Sequence, residues 1–588
     1  MPATTRQPHF ALLLGLAWLL VVVQLLVQNW GETAQTLLDT DDAMRLAQLR
    51  DWLGGQGWYD LVQHRVEPPA GYESHWSRLI DLGLAGTLRF FGMFIDGASA
   101  ERLMRAVWPM LWLLPTIGGT AAIAWRISGR EAALLALLLA VVGLPAFHQF
   151  RPGRIDHHNV QIALSVLVVA ATVWSDRMRW AAWAAGAVTG LALAIGLECL
   201  PYLMVCGAAF AVRYVVDRSG GEAAARYGLA LAASSVAGFL VIVAPAQWTR
   251  GVCDAIAINW VALVVVGGLG LAAAAQWFAS DRLTTRLAST GAVGAAATGL
   301  FLAIQPACLH GPYAMMDPAV WPIWLAHVRE MQPLIPLLAK SPLTAIAIAA
   351  FPAAAAVAAL VLLGQAEHRR DFGFLAAAAA FVSAAITTIA AIKAYSYATW
   401  LGMPLVAVLT LHLFTWLRLQ SLVPRFALGM LLTPAGLSIG AIAVANAAGI
   451  DERENFNRPE REACLKTGNY APLARLPAGL IASDIDFGPF LLALTPHAVL
   501  AAPYHRLSTG IVAAHEAFTA PPDVARRILA RSRVDYVVTC GPRPPSGLAG
   551  KALSASLWGK LQAGEVPDWL EPIRQTGPFV AYRIKPQS

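Results

Sequence analysis

Residues 131–175 decide the fold, and they read EAALLALLLAVVGLPAF at 131–147, HQFRPGRIDHH at 148–158 and NVQIALSVLVVAATVWS at 159–175. The two flanking runs are almost wholly apolar, and each approaches the roughly 20 residues that cross a bilayer. Between them, one Asp, two His and two Arg crowd into Phe150–Asn159. Such groups at a membrane surface are costly unless they bind a metal, a substrate or one another. The stretch therefore predicts a membrane protein with chemistry at one face.

The composition of the whole chain agrees with this interpretation. The 588 residues are 57% hydrophobic and only 13% charged, with a mean hydropathy of +0.56. Because soluble domains carry roughly 25% charged residues, most of this chain is expected in lipid. The net charge of +7 does not indicate nucleic-acid binding. Its basic residues are scattered between apolar segments, as short cytoplasmic loops require.

The apolar runs predict an α-helical polytopic membrane protein with about thirteen transmembrane helices. The first run, near 10–28, lacks a following small-residue cleavage site and is expected to stay as a helix. The other runs lie near 104–125, 131–147, 159–175, 180–197, 201–216, 228–247, 256–276, 287–306, 343–364, 372–392, 399–417 and 426–446.

The distribution of arginine predicts the orientation of these helices. With a cytoplasmic N-terminus, every inside loop is basic, as the positive-inside rule requires. The arginines concerned are Arg126 and Arg130, Arg177 and Arg179, Arg213, Arg218 and Arg226, Arg282 and Arg286, Arg369 and Arg370, and Arg418 and Arg425. Three loops then lie outside, at 29–103, 148–158 and 307–342. An odd number of spans also exports the less apolar segment 447–588, whose strand-like run 534–538 predicts a small α/β domain. The membrane domain is accordingly 1–446.

The six cysteines divide according to this topology. Cys464 and Cys540 fall in the exported segment, where a disulfide would persist. Cys253 and Cys308 lie near outer loop ends and could form a second one. Cys199 and Cys206 are expected to be packing residues within helices. Since the sequence has no CxxC or zinc-type spacing, a zinc site is not expected.

The first outer loop contains three acids in four residues, Asp39-Thr40-Asp41-Asp42, ahead of a segment with amphipathic spacing. This pattern predicts a helix that lies on the membrane with acids at its N-terminus. Helix capping accounts for one or two of the acids, and metal binding is the alternative for the rest. In the second outer loop, Asp156 and His158 could bind a metal, whereas Arg151 and Arg154 could hold phosphate oxygens. A solvated turn is the other reading of that loop.

Three further charged residues are predicted on the outer face. Glu330 stands beside Arg329 in the third outer loop and could be an ordinary surface pair. Glu198 ends a predicted span, either as a substrate contact or as a carboxylate at the interface. Lys393 is a candidate phosphate contact because basic residues otherwise concentrate inside, although an interfacial anchor is equally compatible.

In order along the chain, these features resemble the GT-C class of membrane glycosyltransferases, and among them the catalytic subunit of oligosaccharyltransferase. Gly153-Arg154-Ile155-Asp156-His157-His158 resembles the family's G-x-x-D-x-[DE] motif, with His158 in place of the final acid. Residues 327–333, HVREMQP, resemble the loop segment that carries the family's Glu. Residues 483–488, SDIDFG, resemble its WWDYG motif without either tryptophan, and APYHR follows at 502–506.

The resemblance implies transfer of a sugar or oligosaccharide from a polyprenyl phosphate or diphosphate donor to an acceptor on the outer face. It implies Mg²⁺ or Mn²⁺ held by Asp42, Asp156, Glu330 and His158, with Asp41 assisting catalysis, and the metal is dispensable if the donor is a lipid monophosphate. Lys393, Arg154 and Arg151 are then predicted to contact the donor phosphate. The predicted substrate or acceptor contacts are Glu198, Asp486, Tyr504, His505 and Arg506.

Two other functions compete with this one. Because the tryptophans of WWDYG are missing, transfer of a single sugar to a lipid, a polysaccharide or a protein hydroxyl competes with transfer to Asn. A transporter or flippase is the alternative from another class, although the polar clusters lie in loops at one face rather than at mid-membrane. The predicted location is the bacterial inner membrane, with the C-terminal domain in the periplasm.

Overall fold

The computed structural model describes residues 9–278, 280–453, 461–573 and 576–586, and these residues are mostly helical. The apolar helices are α1 (Phe10–Asn29), α5 (Gly97–Val141), α6 (His158–Trp174), α7 (Arg179–Ile195), α8 (Leu200–Val216), α9 (Gly221–Ile242), α10 (Ile258–Trp277), α11 (Leu283–Ile304), α14 (Pro342–Leu363), α15 (Phe372–Ala390), α16 (Tyr395–Trp416), α17 (Leu422–Leu431) and α18 (Pro434–Ala447). The loops between them hold α2 (Glu32–Gln35), α3 (Thr40–Leu53), α4 (Arg78–Gly92), α12 (Val320–Ile323), α13 (Leu334–Lys340) and a short antiparallel pair, β1 (Val62–Gln63) and β2 (Tyr72–Glu73).

Within the described residues, eight helices are long and apolar enough to cross a membrane, and the bent pair α17 and α18 makes a ninth candidate. Three more apolar helices, α6, α7 and α8, have 17 residues each. Each predicted span overlaps one of these helices or part of one. A multi-pass membrane protein is therefore the architecture, while the number thirteen stays a prediction.

The predicted spans 104–125 and 131–147 share the single helix α5, which loses its helical geometry at Ser128 and Gly129. Gly129 has a φ of 79°, a left-handed conformation that glycine adopts without the strain of a side chain. The second span also ends earlier than predicted, at Val141, and residues 144–150 form a 3₁₀ turn instead. This turn begins the loop that carries Arg154, Asp156 and His158.

Small residues allow the apolar helices to approach closely. At the contact of α9 with α10, a Cβ on Gly228 would lie 2.2 Å from the carbonyl oxygen of Gly268. At the contact of α7 with α9, a Cβ on Gly186 would lie 2.3 Å from the carbonyl oxygen of Tyr227. These backbones pack against each other because neither position carries a side chain.

The C-terminal segment forms a five-stranded mixed sheet with helices around it. Its strands are β3 (Leu480–Ala482), β4 (Ala498–Val499), β5 (Tyr536–Cys540), β6 (Leu570–Ile573) and β7 (Phe579–Ile584), in the order β4-β3-β5-β7-β6. The first three strands are parallel, and β7 is antiparallel to both β5 and β6. The helices are α19 (Glu462–Leu465), α20 (Ala471–Ala474), α21 (Gly488–Leu494), α22 (Ser508–Thr519), α23 (Pro522–Arg531), α24 (Gly550–Ala555) and α25 (Leu557–Gln562).

Both predicted disulfides are confirmed. Cys464 is bonded to Cys540 within the C-terminal segment, and Cys253 is bonded to Cys308 between two loops. Cys199 and Cys206 are free and buried, as expected of packing residues. The first bond ties α19 to the central strand β5, and the second brings the loop after α9 to the loop after α11.

The helix predicted at the first acidic cluster exists as α3, but it does not lie half-exposed on the membrane. Every residue from Asp42 to Leu49 is buried. The reason is that α21 of the C-terminal segment and α4 both pack on α3. Two hydrogen bonds also join this part of the chain to the C-terminal segment. Arg50 Nη1 donates to the carbonyl oxygen of Ala493 at 2.6 Å, and Arg65 Nη1 donates to the carbonyl oxygen of Thr495 at 3.2 Å.

Candidate active site at the N-terminus of α3

Asp39 is the N-cap of α3, so the capping interpretation is confirmed for this residue. Its Oδ1 accepts hydrogen bonds from the backbone N–H groups of Asp41 at 2.9 Å and Asp42 at 3.2 Å. Capping satisfies donors that have no partner inside the helix, and the acids of the first turn complement the helix dipole. Since successive helical residues point about 100° apart, Asp41 and Asp42 face different surroundings.

Asp42 faces inward and ties α3 to the loop 148–158. Its Oδ1 accepts from the backbone N–H groups of Ile155 at 2.7 Å and Asp156 at 3.2 Å, and its Oδ2 lies 3.0 Å from Arg154 Nη1. The side chain is fully buried. Both oxygens of Asp42 are therefore already bonded, and the residue shapes the site more directly than it offers a ligand.

The Arg154 guanidinium lies among three carboxylates. Its guanidinium contacts Asp39 and Asp156 as well as Asp42, donates to Gln149 Oε1 at 2.8 Å, and is 4% exposed. Burial alone would lower the pKa of Arg154, but the charges of Asp156, Asp39 and Asp42 raise it well above its ordinary value. Arg154 thus has three carboxylate partners, and its contact with the donor phosphate stays a prediction.

Arg151, the other predicted phosphate contact in this loop, is also paired. Its Nη2 lies 2.5 Å from Glu32 Oε2, and its Nε donates to Asn29 Oδ1 at 3.1 Å. These partners belong to α1 and α2, which sequence spacing does not connect to the loop. The side chain remains about one-third exposed.

Asp41, Asp156 and His158 converge on one point. Each can supply one ligand atom, and the three atoms lie within 4.8 Å of one another. Burial and the charges of Asp39, Glu330 and Asp156 raise the pKa of Asp41 well above its ordinary value. For Asp156, burial raises the pKa, but Arg154 and the two neighbouring histidines outweigh it and leave the pKa below its ordinary range.

The three potential ligand atoms of Asp41, Asp156 and His158 suit a divalent cation. Among the described residues, no ion pair joins Asp41 to a lysine or arginine, so its carboxylate lacks the compensation that Arg154 gives to the other acids. Two carboxylates and one imidazole are ligands that suit Mn²⁺ and similar ions, whereas Mg²⁺ prefers oxygen alone. A second group, Asp39, Asp42 and Asp156, also lies within 4.8 Å, but the Arg154 guanidinium already occupies it.

Glu198 and Lys393 contact each other on the far side of His158. Lys393 Nζ lies 2.8 Å from Glu198 Oε1, and His158 Nδ1 lies 3.0 Å from Glu198 Oε2. Burial would raise the pKa of Glu198, but Lys393 and His158 lower it well below its ordinary value. The structure thus brings a predicted substrate contact and a predicted phosphate contact together as an ion pair.

Glu330 lies in a short 3₁₀ turn, Arg329–Met331, and is half-buried. Its charge raises the pKa of Asp41, so it stands in the neighbourhood of the site. It supplies no atom to the compact ligand groups formed by the described residues. Its role as a metal ligand stays a prediction.

The segment 483–488, which resembles the acceptor motif, lies at the start of α21 against α3. Asp486 Oδ2 is 2.8 Å from Arg461 Nη1, and Asp484 Oδ2 is 3.3 Å from Arg461 Nη2. Phe487 is buried. Asp486 therefore already has a cationic partner, and its predicted contact with an acceptor would compete with Arg461.

Tyr504, His505 and Arg506 join the C-terminal segment to the outer loops. The Tyr504 hydroxyl donates to the carbonyl oxygen of Thr40 at 3.1 Å. Arg506 makes two bonds of 2.7 Å to the carboxylate of Asp254, and His505 Nε2 lies 2.6 Å from Asp254 Oδ2. All three residues make contacts within the chain, and their predicted contacts with an acceptor stay a prediction.

Three residues that lie beside the predicted site residues were not themselves predicted as site residues: Asp254, His75 and His157. The rings of His75 and His505 have centroids 4.7 Å apart and planes inclined at 57°, and His157 lies against His158 with centroids 4.5 Å apart. The position of Asp254 beside the half-cystine Cys253 was a usable signal, because a disulfide fixes the adjacent loop. No spacing in the sequence connects His75 to His505.

Of three comparisons with known proteins, the one with solved structures finds matches. No protein-family model matches the chain. No curated protein sequence matches it significantly. Solved structures do match, among them the oligosaccharyltransferase AglB from Archaeoglobus fulgidus in complex with an inhibitory peptide and a dolichol-phosphate, at 14% identity, 95% coverage of this chain, 78% of that chain and a TM-score of 0.66.

Two further structures of the Archaeoglobus fulgidus oligosaccharyltransferase give similar values. The apo form has 16% identity, covers 92% of this chain and 70% of that one, and has a TM-score of 0.65. A complex with Zn and sulfate has 15% identity, covers 97% and 73%, and has a TM-score of 0.59. At these identities the likeness concerns the fold, and it confirms the predicted resemblance to the GT-C class at that level.

Proposed function

We propose that this chain is a membrane glycosyltransferase that moves a sugar or oligosaccharide from a polyprenyl phosphate or diphosphate donor to an acceptor on the outer face. The observation that carries the proposal is the convergence of Asp41, Asp156 and His158 at the outer end of α6, in a fold shared with an oligosaccharyltransferase. The full proposal keeps thirteen spans, a cytoplasmic N-terminus, a membrane domain at 1–446, and a periplasmic domain at 447–588 in a bacterial inner membrane.

Asp41, Asp156 and His158 would hold Mn²⁺ or Mg²⁺, with Glu330 as an added ligand. When bound, the ion supplies Lewis-acid compensation for the charge that develops on the leaving phosphate. Asp42 and Arg154 hold the loop 148–158 against α3, which keeps Asp156 and Asp41 close together. The geometry therefore favours Asp41 as the ligand from the first cluster and gives Asp42 the positioning role.

The transfer itself requires a base for the acceptor. As the acceptor oxygen or nitrogen bonds to the anomeric carbon, the bond from that carbon to the phosphate oxygen breaks and the acceptor loses a proton. Where no ion is bound, Asp41 is a candidate to take this proton, because burial and neighbouring acids raise its pKa; a carboxylate that ligates an ion is a poor base. With a monophosphate donor, the same residue would serve as the base without an ion.

Lys393 remains the proposed contact for the donor phosphate. Its ammonium has three donors, one of which is directed at Glu198, and the side chain is 19% exposed. Arg151 and Arg154 have carboxylate partners and are less available for this role.

A single-sugar transferase acting on a lipid, a polysaccharide or a protein hydroxyl is the second candidate. The pairing of Asp486 with Arg461 and the missing tryptophans at 483–488 favour it over transfer to Asn. A transporter is less well supported, because the polar residues concentrate at one end of α6 instead of mid-span.

The deciding experiment measures donor consumption by the purified protein. A bacterial extract of polyprenyl-linked glycolipids is incubated with wild type or Asp156→Asn, with Mn²⁺ or with chelator, and analysed by mass spectrometry. We expect one donor species to disappear only with wild type, and Asp156→Asn to lose at least about 100-fold in rate without a loss of folded yield. Equal turnover by both proteins, or no turnover with any acceptor mixture, contradicts the proposal.

A further inference from the structure

We propose that Glu198 is a positioning residue that fixes the tautomer of His158 and so makes His158 Nε2 the metal-binding atom. This inference rests on the proposed function, because it assumes an ion at Asp41, Asp156 and His158. It reassigns Glu198 from a substrate contact to a residue that acts through the histidine.

The hydrogen-bond chemistry of the pair leads to this assignment. His158 Nδ1 lies 3.0 Å from Glu198 Oε2. An ionised carboxylate only accepts hydrogen bonds, so His158 Nδ1 must carry a proton in this contact. The nitrogen left to bind an ion is then Nε2, which lies 4.0 Å from Asp156 Oδ2. A carboxylate behind a metal-binding histidine both orients the ring and increases its basicity.

Lys393 keeps Glu198 suited to this task. It contacts the other carboxylate oxygen, Oε1, at 2.8 Å, so the two oxygens have separate partners. The ammonium stabilises the ionised carboxylate and reduces its tendency to take the proton from the imidazole. It also opposes an ion between His157, His158 and Glu198, although ligand atoms of these three residues lie within 4.8 Å of one another.

The turn that carries Glu198 packs closely on the Gln161 side chain of α6. The turn between α7 and α8 contains Gly196, where a Cβ would lie 2.3 Å from Nε2 of Gln161. Gln161 is three residues beyond His158 on α6 and shares its face of the helix. The absence of a side chain at Gly196 lets the turn press against the first turn of α6, which puts Glu198 within reach of the histidine.

The test is a thermodynamic cycle on Mn²⁺ affinity, read by electron paramagnetic resonance of free Mn²⁺ with the full-length protein in detergent. We expect Glu198→Gln to weaken binding about 10-fold. In a His158→Ala background, the same change should have no further effect, because Glu198 acts through the ring. Glu101→Gln, which alters an exposed pair with Arg50, is the matched control and should leave the affinity unchanged.

Two results overturn the inference alone: an unchanged affinity in Glu198→Gln, or an equal loss in both backgrounds. Mn²⁺ binding that is insensitive to Asp156→Asn overturns the proposed metal site as well, and this outcome is distinguishable from the other two. A second measurement needs no variant of Glu198. Solid-state ¹⁵N spectra of histidine-labelled protein saturated with Mg²⁺, with His158→Ala to assign the signal, should show a protonated Nδ1 and an unprotonated Nε2, and the reverse assignment would contradict the inference.

Discussion

Two buried arginines stand at opposite ends of α6, and their surroundings differ in one respect. Arg126, 2% exposed, pairs with Asp176 and with Asp371, so both carboxylates there contact the guanidinium. Arg154, 4% exposed, pairs with Asp39, Asp42 and Asp156, and Asp41 stands beside them without such a pair.

The difference separates a structural cluster from a functional one. At Arg126 the ionic contacts are complete, and the cluster joins α5 to the two loops that hold its aspartates. At Arg154 the guanidinium contacts three carboxylates, while Asp41 lies beside them without such a contact and has His158 as a neighbour. A buried carboxylate is costly to ionise unless a cation compensates it. The cluster around Arg154 is therefore the one where we propose that a cation binds.

The largest expected effect concerns the two neighbouring acids of α3. Asp42→Ala removes the acceptor of two buried backbone N–H groups and a partner of Arg154. We expect it to lower the free energy of unfolding by about 3 kcal/mol. Asp41→Ala should cost nothing in the absence of metal. Thermal unfolding of both variants in detergent with chelator tests this, and equal destabilisation would remove the distinction between the two residues.

A smaller effect should appear in the pH dependence of stability. Because the pKa of Asp41 is raised in the folded protein by burial and by neighbouring acids, its proton contributes stability that is fully present below the unfolded pKa of about 3.9. This contribution is lost as the pH rises through the folded pKa. In chelator, Asp41→Asn should therefore unfold at a higher temperature than wild type at pH 7, with the gap closing towards pH 4.

Mn²⁺ provides the control for that experiment. The ion should stabilise wild type at pH 7 and have little effect on Asp41→Asn, because only the folded wild type binds it well. A gap between the two proteins that is the same at pH 4 and pH 7 would show that Asp41 carries no unbalanced charge.

The smallest effect is expected at the cluster around Arg126. Asp371→Asn removes one charge from a pair whose aspartate is about one-quarter exposed, and Asp176 still contacts Arg126. We expect a loss of about 1 kcal/mol in stability and no change in Mn²⁺ affinity or donor consumption. A large loss of Mn²⁺ binding in this variant would show that the two ends of α6 are coupled.

The parts of the fold that lipid dictates were predictable from the sequence. Bilayer thickness fixes the length of apolar runs, which is why each predicted span overlaps an apolar helix. The predicted topology placed four cysteines in loops or in the C-terminal segment, and this predicted both disulfides. Asp156 and His158 were recognisable because they share a short loop.

Side-chain partners distant in sequence were not predictable. Spacing alone did not separate Asp41 from Asp42, because the start of α3 and its cap decide which one faces inward. Two partners of Arg154, Asp42 and Asp39, lie 112 and 115 positions away in the sequence. Lys393 is 195 positions from its partner Glu198. Tyr504, His505 and Arg506 were expected at an acceptor, whereas their partners Thr40 and Asp254 come from other loops of the same chain.

Because elements from the C-terminal segment pack on α3, this helix cannot reach its final buried environment until late in synthesis. Tyr504 bonds to Thr40 across 464 positions, and α21 packs on the same helix. During translation, α3 is synthesised early and must wait for these elements, which come from the last fifth of the chain. A chain that stops before α21 lacks one of the two helices that pack on α3, so part of the buried surface of α3 would be exposed. This exposed surface would mark a truncated chain for a chaperone or protease at the site where the chemistry is proposed to occur.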